Sequence, residues 1–327
     1  RIVAHALEEL MSECEKVIIM GHINPDIDAM GAALGIYRMA TSLNKDAYIL
    51  TNTETPSIKE FINSIKDDYE NVFIDKDTAL SEIDSETLLV VVDTHKKSYV
   101  EEPELLEKTN KIVVIDHHRR SADFIEQSIL TFQEVYASSA SELVTELIQY
   151  THNEIELKTE EAESLYAGIM MDTKNFTFKT GVRTFEAAAY LRKFGVDIIK
   201  VKKWFQANLE SYNEIAEIVK KAEFVTDSIA ISVCDKETED TNLLCAKAAD
   251  ELLTISDITA SFVMGMMNEK IFISGRSIGD INVQVILEKL GGGGHITLAG
   301  AQLEGLTLEE AHDELVIRIN EYLTEIE

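Results

Sequence analysis

Residues 17–28 read VIIMGHINPDID, and this stretch decides the fold. Its first four residues are apolar, which is typical of a short strand buried on both faces. A loop with one histidine and two aspartates follows at once. Residues 29–43 then place apolar side chains at helical spacing. A strand, a polar loop and a helix in this order form the repeating unit of a parallel sheet covered by helices.

The same alternation continues through the first half of the chain. Apolar runs of strand length lie at 48–50, 72–74, 88–92 and 112–115, and residues 57–65 have the period of an amphipathic helix. Parallel strands must be joined by crossovers, which are usually helices. The sequence therefore predicts an α/β fold with a mostly parallel sheet flanked by helices.

The second half of the chain is expected to hold a smaller domain. Helical period dominates residues 141–212, and short strands and helices restart after residue 223. Between them, polar helical sequence is typical of a connector. We expect a first domain over residues 1–205, a connector over 206–222 and a small α+β domain over 223–327.

Composition excludes several classes of function. The 327 residues include 59 acidic and 30 basic side chains, for a net charge of −29. Such an excess of negative charge repels long DNA or RNA, whereas a small anion can still bind where cations reverse the local field. No apolar run approaches the roughly 20 residues of a membrane helix. The three scattered cysteines, Cys14, Cys234 and Cys245, fit packing roles in a reducing cytoplasm.

Polar side chains follow three of the predicted strands. His22, Asp26 and Asp28 come after the first, Asp93 follows residues 88–92, and Asp116-His117-His118 follows residues 112–115, while Asp172 ends an apolar helical stretch. Any one of these has a simpler explanation, such as Asp28 acting as a helix N-cap. Together they indicate a metal site, because clustered carboxylates and imidazoles need a cation to offset their charge. Mixed oxygen and nitrogen ligands suit Mn²⁺, Mg²⁺ or Fe²⁺.

These residues resemble the motifs of the DHH phosphoesterase family. The matching positions are His22-x-Asn24-x-Asp26-x-Asp28, Asp93, Asp116-His117-His118 and Asp172. The resemblance implies two divalent cations, with Mn²⁺ as the expected ion. One would be bound by His22, Asp26 and Asp93, and the other by Asp28, Asp93, His117 and Asp172. A carboxylate shared at Asp93 suits cations ~3.5–4 Å apart, the spacing of two-metal hydrolysis sites.

The resemblance also suggests roles for the two remaining residues of the third motif. His118 lies beside a ligand, where it is expected to contact a phosphate or to protonate the leaving group. Asp116 would either orient a ligand imidazole or have only a structural role.

The second domain resembles the DHHA1 domain that accompanies DHH in one branch of the family. The resemblance rests on Gly291-Gly292-Gly293-Gly294-His295 and on the downstream Ala299-Gly300. It implies that a glycine loop approaches substrate closely, through Gly292, Gly293, Gly294 and His295, and that Arg276 contacts a second phosphate or a base. The simpler explanation of the glycines is a flexible helix C-terminus. Ser139 and Arg183 are further substrate candidates, with a helix N-cap and a surface ion pair as their respective alternatives.

The function implied by this resemblance is hydrolysis of cyclic di-AMP to 5′-pApA. Degradation of short oligoribonucleotides or of 3′-phosphoadenosine phosphate uses the same metal chemistry and remains open, as does a nucleotide-sensing module without catalysis. The family leads us to expect a homodimer. Because the sequence begins at Arg1 rather than Met, we expect a cytoplasmic part of a longer protein that is anchored in the cell membrane elsewhere, with no membrane contact of its own.

Overall fold

A computed structural model of the chain describes residues 1–206, 208–238 and 240–326. The chain divides into two compact units, Arg1–Gln206 and Ala207–Glu327. No helix in the described ranges is both long enough and apolar enough to cross a membrane.

The first unit is built on a six-stranded sheet in the order β3-β2-β1-β4-β5-β6, and every neighbouring pair is parallel. The α/β prediction is therefore confirmed. The strands are β1 (Lys16–Met20), β2 (Asp46–Leu50), β3 (Phe73–Ile74), β4 (Leu88–Val92), β5 (Ile112–Asp116) and β6 (Leu130–Gln133). The order reverses between β1 and β4, because the chain first moves outward from β1 to β3 and then returns to β4. Such a reversal leaves a crevice at the carboxyl ends of the two central strands.

Eight helices cover this sheet. They are α1 (Ile2–Ser12), α2 (Ile27–Ser42), α3 (Pro56–Ile65), α4 (Lys76–Glu82), α5 (Ala140–Gln149), α6 (Thr159–Asp172), α7 (Val182–Arg192) and α8 (Ile198–Trp204). The central strands are buried on both faces, as their apolar runs predict. Val90 belongs to one apolar core, whereas its neighbours Leu89 and Val91 belong to another on the opposite face.

The second unit contains a mixed sheet in the order β11-β12-β10-β9-β8-β7. The strands are β7 (Glu223–Phe224), β8 (Ile229–Cys234), β9 (Ala260–Met267), β10 (Lys270–Ser277), β11 (Gly293–His295) and β12 (Leu298–Glu304). Its helices are α9 (Leu209–Lys220), α10 (Thr241–Leu252), α11 (Val283–Glu288) and α12 (Leu308–Ile326). Among the strands of the described residues in this unit, only β8 and β9 pair in parallel, so the expected α+β class is confirmed. Helix α9, within the expected connector, belongs to this unit.

The prediction of a loop at the glycine run is wrong for residues 293–295. Gly293, Gly294 and His295 form strand β11, which pairs antiparallel with β12. Gly292 and Gly294 are needed for this pairing, because a Cβ on either would overlap the backbone of β12. Gly294 also adopts a φ of +149°, which L side chains rarely adopt. The close backbone approach expected from the glycines is thus made to the chain's own neighbouring strand.

Candidate metal centre

Four segments of the first unit bring their polar residues to the carboxyl ends of β1, β4 and β5. His22 and Asp26 lie in the loop after β1, Asp93 directly follows β4, and His117 directly follows β5. Asp172 is the last residue of α6. In open α/β folds, ligands bind at this side of the parallel sheet, at the point where the strand order reverses.

Asp93 lies between two sets of side chains. One of its carboxylate oxygens, Oδ2, is 3.3 Å from His22 Nε2, and the other, Oδ1, is 3.3 Å from His117 Nε2. Its backbone adopts a φ of +60°, an unfavourable left-handed conformation for a residue with a side chain. Directly after a buried strand, that conformation lets one carboxylate meet both histidines.

The candidate ligand atoms form compact groups around this carboxylate. Within each of three trios the donor atoms lie within 4.8 Å of one another, close enough to bind one ion. The trios are His22, Asp26 and Asp93; Asp28, His117 and Asp172; and Asp93, His117 and His118. The structure therefore brings together the six residues predicted as ligands. His118 lies beside them, with its Nδ1 3.7 Å from Asp93 Oδ1.

Buried atoms without partners show that these residues suit a cation. Asp93 Oδ1 and His117 Nε2 are inaccessible to solvent and have no hydrogen-bond partner among the described residues. Leaving such groups unsatisfied costs free energy, whereas a metal ion coordinated by both would use the lone pairs that they present. The donor set and its geometry are therefore those of a divalent cation site.

The pKa values of the carboxyl groups lead to the same conclusion. Desolvation, together with the charges of Asp93 and Asp172, raises the pKa of Asp26 to about 7 and raises that of Asp28 well above its usual range. Burial also raises the pKa of Asp93, but the nearby imidazoles of His117 and His22 outweigh this and lower it. Four carboxyl groups at one point repel one another, and a bound cation relieves that repulsion.

The same negative charges raise the pKa values of two histidines. Burial opposes protonation of His117, but the carboxylates of Asp172 and Asp93, at 3.2 Å and 3.3 Å from its Nε2, outweigh it, so its pKa lies well above the usual value. The pKa of His22 is raised in the same way, against burial, by Asp93 and Asp26. Both imidazoles must lose a proton before they can bind a metal ion.

Asp28 is not the cap of α2. That position belongs to Asp26, whose Oδ1 accepts hydrogen bonds from the backbone N–H groups of Asp28 (2.9 Å) and Ala29 (3.0 Å). Asp28 is fully buried, and its two oxygens accept from the N–H groups of Ala140 (2.7 Å) and Ser141 (2.9 Å) in the first turn of α5. Those two hydrogen bonds fix the Asp28 carboxylate, and its other lone pairs remain for a metal.

Asp116 orients two imidazoles. It hydrogen-bonds His95 Nδ1 and, at 2.8 Å, His118 Nδ1. Despite its burial, these two contacts hold the pKa of Asp116 well below its usual range, with the His118 hydrogen bond the larger of the two. The carboxylate is therefore ionised at neutral pH and accepts from an Nδ1–H on each ring, which fixes the ring orientations.

Two residues near the centre were not found by sequence reasoning. Tyr99 stacks on His22 with ring centroids 5.3 Å apart and planes within 9°. Gln133, in β6, donates to the His118 carbonyl at 2.8 Å. Neither residue belongs to a polar motif, and both contacts depend on tertiary packing. Only a prediction of β6 itself would have brought Gln133 to attention.

Ser139 and Arg183 take up structural contacts in the first unit. Ser139 is completely buried and caps α5, accepting from the N–H of Glu142 at 3.0 Å. The Arg183 guanidinium binds both carboxylate oxygens of Glu146 at 2.5 Å. These are the simpler roles considered for the two residues, and contact with substrate stays a prediction for each.

Two substrate candidates of the second unit, Arg276 and His295, occupy one row of its sheet. Arg276 in β10 is opposite Leu298 in β12, which is in turn opposite His295 in β11. Arg276 is buried, and its Nε donates to Asp250 at 2.8 Å. Its charge is thus already balanced by a carboxylate, and contact with a phosphate stays a prediction, as it does for Gly292, Gly293, Gly294 and His295.

Family models match both units. A model described as the N-terminal domain of the DHH family matches residues 16–169, and a model of the DHHA1 domain matches residues 226–325. The first includes the loops after β1, β4 and β5, and the second includes the glycine strand.

Similar proteins cover nearly all of the chain. Cyclic-di-AMP phosphodiesterase GdpP of Bacillus subtilis is 43% identical over 98% of the chain, and cyclic-di-AMP phosphodiesterase PdeA of Listeria monocytogenes is 40% identical over 98%. The chain spans about half the length of these relatives, 50% in each case. A crystal structure of an exopolyphosphatase-related protein from Bacteroides fragilis matches 97% of the chain, and 95% of its own length, with a TM-score of 0.81 and 21% identity. That match supports the fold.

Proposed function

Because the chain belongs to the DHH family and carries a DHHA1 domain after its DHH domain, we propose that it is a metal-dependent phosphodiesterase that hydrolyses cyclic di-AMP to 5′-pApA. The observation that carries the proposal is Asp93, whose two oxygens each lie 3.3 Å from a different histidine. Relatives at 40–43% identity that are named for this substrate support the choice of cyclic di-AMP.

The proposed site holds two divalent cations, with Mn²⁺ the preferred ion. His22, Asp26 and Asp93 would bind the first, and Asp28, Asp93, His117 and Asp172 the second. When bound, such cations offset phosphate charge and lower the pKa of water, so that a nucleophile forms near neutral pH. The chain's own contribution is a rigid set of donors, with Asp28 fixed by the N-terminus of α5.

His118 is the proposed proton donor to the leaving oxygen. Its Nδ1 faces the ionised Asp116 and therefore carries a hydrogen. In the imidazolium form Nε2 carries the second proton, which would pass to the leaving oxygen and leave a neutral imidazole. Its side chain is 48% exposed, in contrast to the buried His117. An imidazole held by a carboxylate at one nitrogen and accessible at the other is suited to general acid–base catalysis.

The second unit is proposed to bind the part of the dinucleotide away from the reacting phosphate. Its candidates are the N–H groups of Gly292–Gly294, His295 and Arg276, and Ser139 and Arg183 would add contacts from the first unit. A homodimer and a longer, membrane-anchored parent protein complete the proposal. Each of these assignments follows from the family resemblance.

The first experiment compares cyclic di-AMP, cyclic di-GMP, 5′-pApA and pyrophosphate as substrates, with Mn²⁺ and with a chelator. The proposal expects Mn²⁺-dependent opening of cyclic di-AMP that stops at 5′-pApA and is lost with the chelator. Rapid cleavage of 5′-pApA with little action on the cyclic compound would instead assign the chain to degradation of short oligonucleotides. Tight binding of cyclic di-AMP without turnover would indicate a sensing module.

A further inference from the structure

The segment after Asp172 has an unusual backbone. Lys174, Asn175 and Phe176 adopt φ values of 45°, 57° and 61° in succession, and Lys179 adopts 51°. A run of left-handed residues without glycine is costly, since each Cβ crowds a carbonyl oxygen. Thr173 stabilises the turn: its hydroxyl accepts from the Phe176 N–H at 2.9 Å, and its carbonyl accepts from Thr177 and Phe178 at 2.8 Å. Strain retained in this way indicates a functional demand on the segment.

The turn places an aromatic ring against the first helical turn of α7. The rings of Phe176 and Phe185 stack with centroids 5.7 Å apart and planes 27° apart. Behind them, Tyr166 of α6 contacts Phe176 at 5.6 Å. Phe185 itself is 53% exposed, so much of its ring remains open to solvent although Phe176 stacks on it.

This aromatic face, defined as the stacked pair Phe176 and Phe185, is joined by a short segment of chain to a candidate metal ligand. Phe176 follows Asp172 by four residues, and Asp172 Oδ2 is 3.2 Å from His117 Nε2. The strained turn is thus the connection between a candidate metal ligand and the exposed ring. The Phe176 ring contacts Tyr166, which lies six residues before Asp172 in α6. At a rise of 1.5 Å per residue, Tyr166 is about 9 Å along the helix from Asp172, a separation that a dinucleotide can span.

The segment contains basic side chains and no acidic one. Residues 173–185 contain Lys174, Lys179 and Arg183 and not one Asp or Glu, in a chain whose net charge is −29. Arg183 is paired with Glu146, and the Lys174 ammonium lies 5.7 Å from the Phe178 ring centroid. Aromatic rings interleaved with cations are the combination by which proteins bind nucleotides without reading their sequence.

We propose that the open face of Phe185 is a stacking surface for a nucleobase of the substrate, with Phe176 as its support. For its connection to turnover this inference rests on the proposed function, which names a dinucleotide substrate. The strained turn then has a purpose, since it places Phe176 where it keeps the Phe185 ring in position. The surface would contribute to substrate affinity and would not take part in bond cleavage.

Binding of 5′-AMP and of ribose 5-phosphate, measured by calorimetry with Mn²⁺ present, tests the surface directly. The two ligands share a phosphate and a ribose, and only the first has a base. The chain should prefer 5′-AMP, Phe185→Ala should weaken 5′-AMP binding about five- to tenfold and leave ribose 5-phosphate unchanged, and Phe185→Trp should retain the preference. In turnover of cyclic di-AMP, Phe185→Ala should raise KM with kcat changed less than about twofold.

Phe224→Ala is the matched control, because Phe224 is 58% exposed and lies in β7, at the opposite edge of its sheet from the glycine strand. It should leave both affinities unchanged. The inference is overturned if the unaltered chain binds the two ligands equally, if Phe185→Ala weakens both alike, or if it weakens neither. Since neither ligand is a phosphodiester, a base preference without hydrolysis of cyclic di-AMP would overturn the proposed function alone.

Discussion

Asp93 is the residue on which the candidate site depends most. It combines a left-handed backbone at φ +60° with near-complete burial and with contacts from each of its oxygens to a different histidine. Each of these features is unfavourable for an isolated aspartate in an apo protein. A bound cation would offset them together, since the carboxylate would then be a shared ligand.

Replacing Asp93 with alanine should reduce turnover of cyclic di-AMP to less than a tenth of that of the unaltered chain. The reason is that the change removes a ligand from both proposed ions at once. Steady-state kinetics with saturating Mn²⁺ measure the effect. Asp77→Ala, which removes an exposed carboxylate from the first turn of α4, is the control and should have no effect. Turnover above a tenth in the Asp93 variant would contradict the shared-ligand role.

At the scale of single residues, the sequence predicted which side chains would meet but not how each is held. His22, Asp93 and His117 follow β1, β4 and β5, which are neighbours in the sheet. Parallel strands bring their carboxyl ends to one edge of the sheet. Their convergence was therefore predictable. The stacking of Tyr99 on His22, by contrast, depends on a loop whose course is set by tertiary packing. The same is true of the contacts between Asp28 and α5.

Helices α2, α5 and α6 support the site through unusually close packing. A Cβ on Gly31 would lie 2.5 Å from the Ser164 carbonyl oxygen, and one on Gly35 would lie 2.5 Å from Val144 Cγ1. A Cβ on Gly168 of α6 would overlap Ser141 Oγ and lie 2.7 Å from Asp28 Oδ1. The glycines let three helices approach so closely that Asp28 is enclosed between them.

Gly168→Ala should therefore destabilise the chain, although alanine normally stabilises a helix interior by about 1 kcal/mol relative to glycine. Overpacking of this kind typically costs about 1–3 kcal/mol. Urea unfolding of the first unit, followed by circular dichroism, measures the difference. Gly181→Ala serves as a control, because a Cβ there meets no atom within 4 Å, and its cost as a cap residue should be no more than about 1 kcal/mol. Greater stability of the Gly168 variant would show that the helices can separate without cost.

At the scale of elements, a continuous apolar run predicted its strand correctly, whereas some strands without such a run were missed. Leu88–Val92 was predicted with the bounds that the structure gives, because it is a continuous apolar run. Strand β6 was missed, since its four residues are only partly buried. Strand β11 was missed because glycine has a low strand propensity and its pairing with β12 depends on residues further along the chain.

For the molecule as a whole, the concentration of negative charge at one point couples metal binding to pH. The net charge of −29 is spread over the surface, but Asp26, Asp28, Asp93 and Asp172 meet in one place. The pKa values of Asp26, Asp28, His22 and His117 are raised, so these side chains bind protons more readily when no cation is present. Protons and metal ions then compete for the same atoms.

The sign of this competition follows from the direction of the shifts. Asp26 has a folded-state pKa of about 7 against an ordinary value of 3.8, so its contribution to stability is fully present below the ordinary value and is lost as pH rises through 7. The raised pKa values of His22 and His117 act in the same direction, with loss beginning above 6.5. In the absence of metal, these three groups therefore weaken the first unit as the pH rises across neutrality. Metal binding, which needs the deprotonated forms, strengthens over the same range.

The increase in Tm caused by Mn²⁺ should accordingly be larger at about pH 8 than at about pH 6. At a hundredfold excess over Kd, a ligand adds about 2.7 kcal/mol, which corresponds to a shift of several degrees for a unit of this size. Thermal unfolding with Mn²⁺ and with chelator at the two pH values measures the difference. Asp93→Ala should lose most of the increase at both. Equal increases at the two pH values would mean that the cation does not displace protons from this cluster, and would place the Mn²⁺ that stabilises the chain elsewhere.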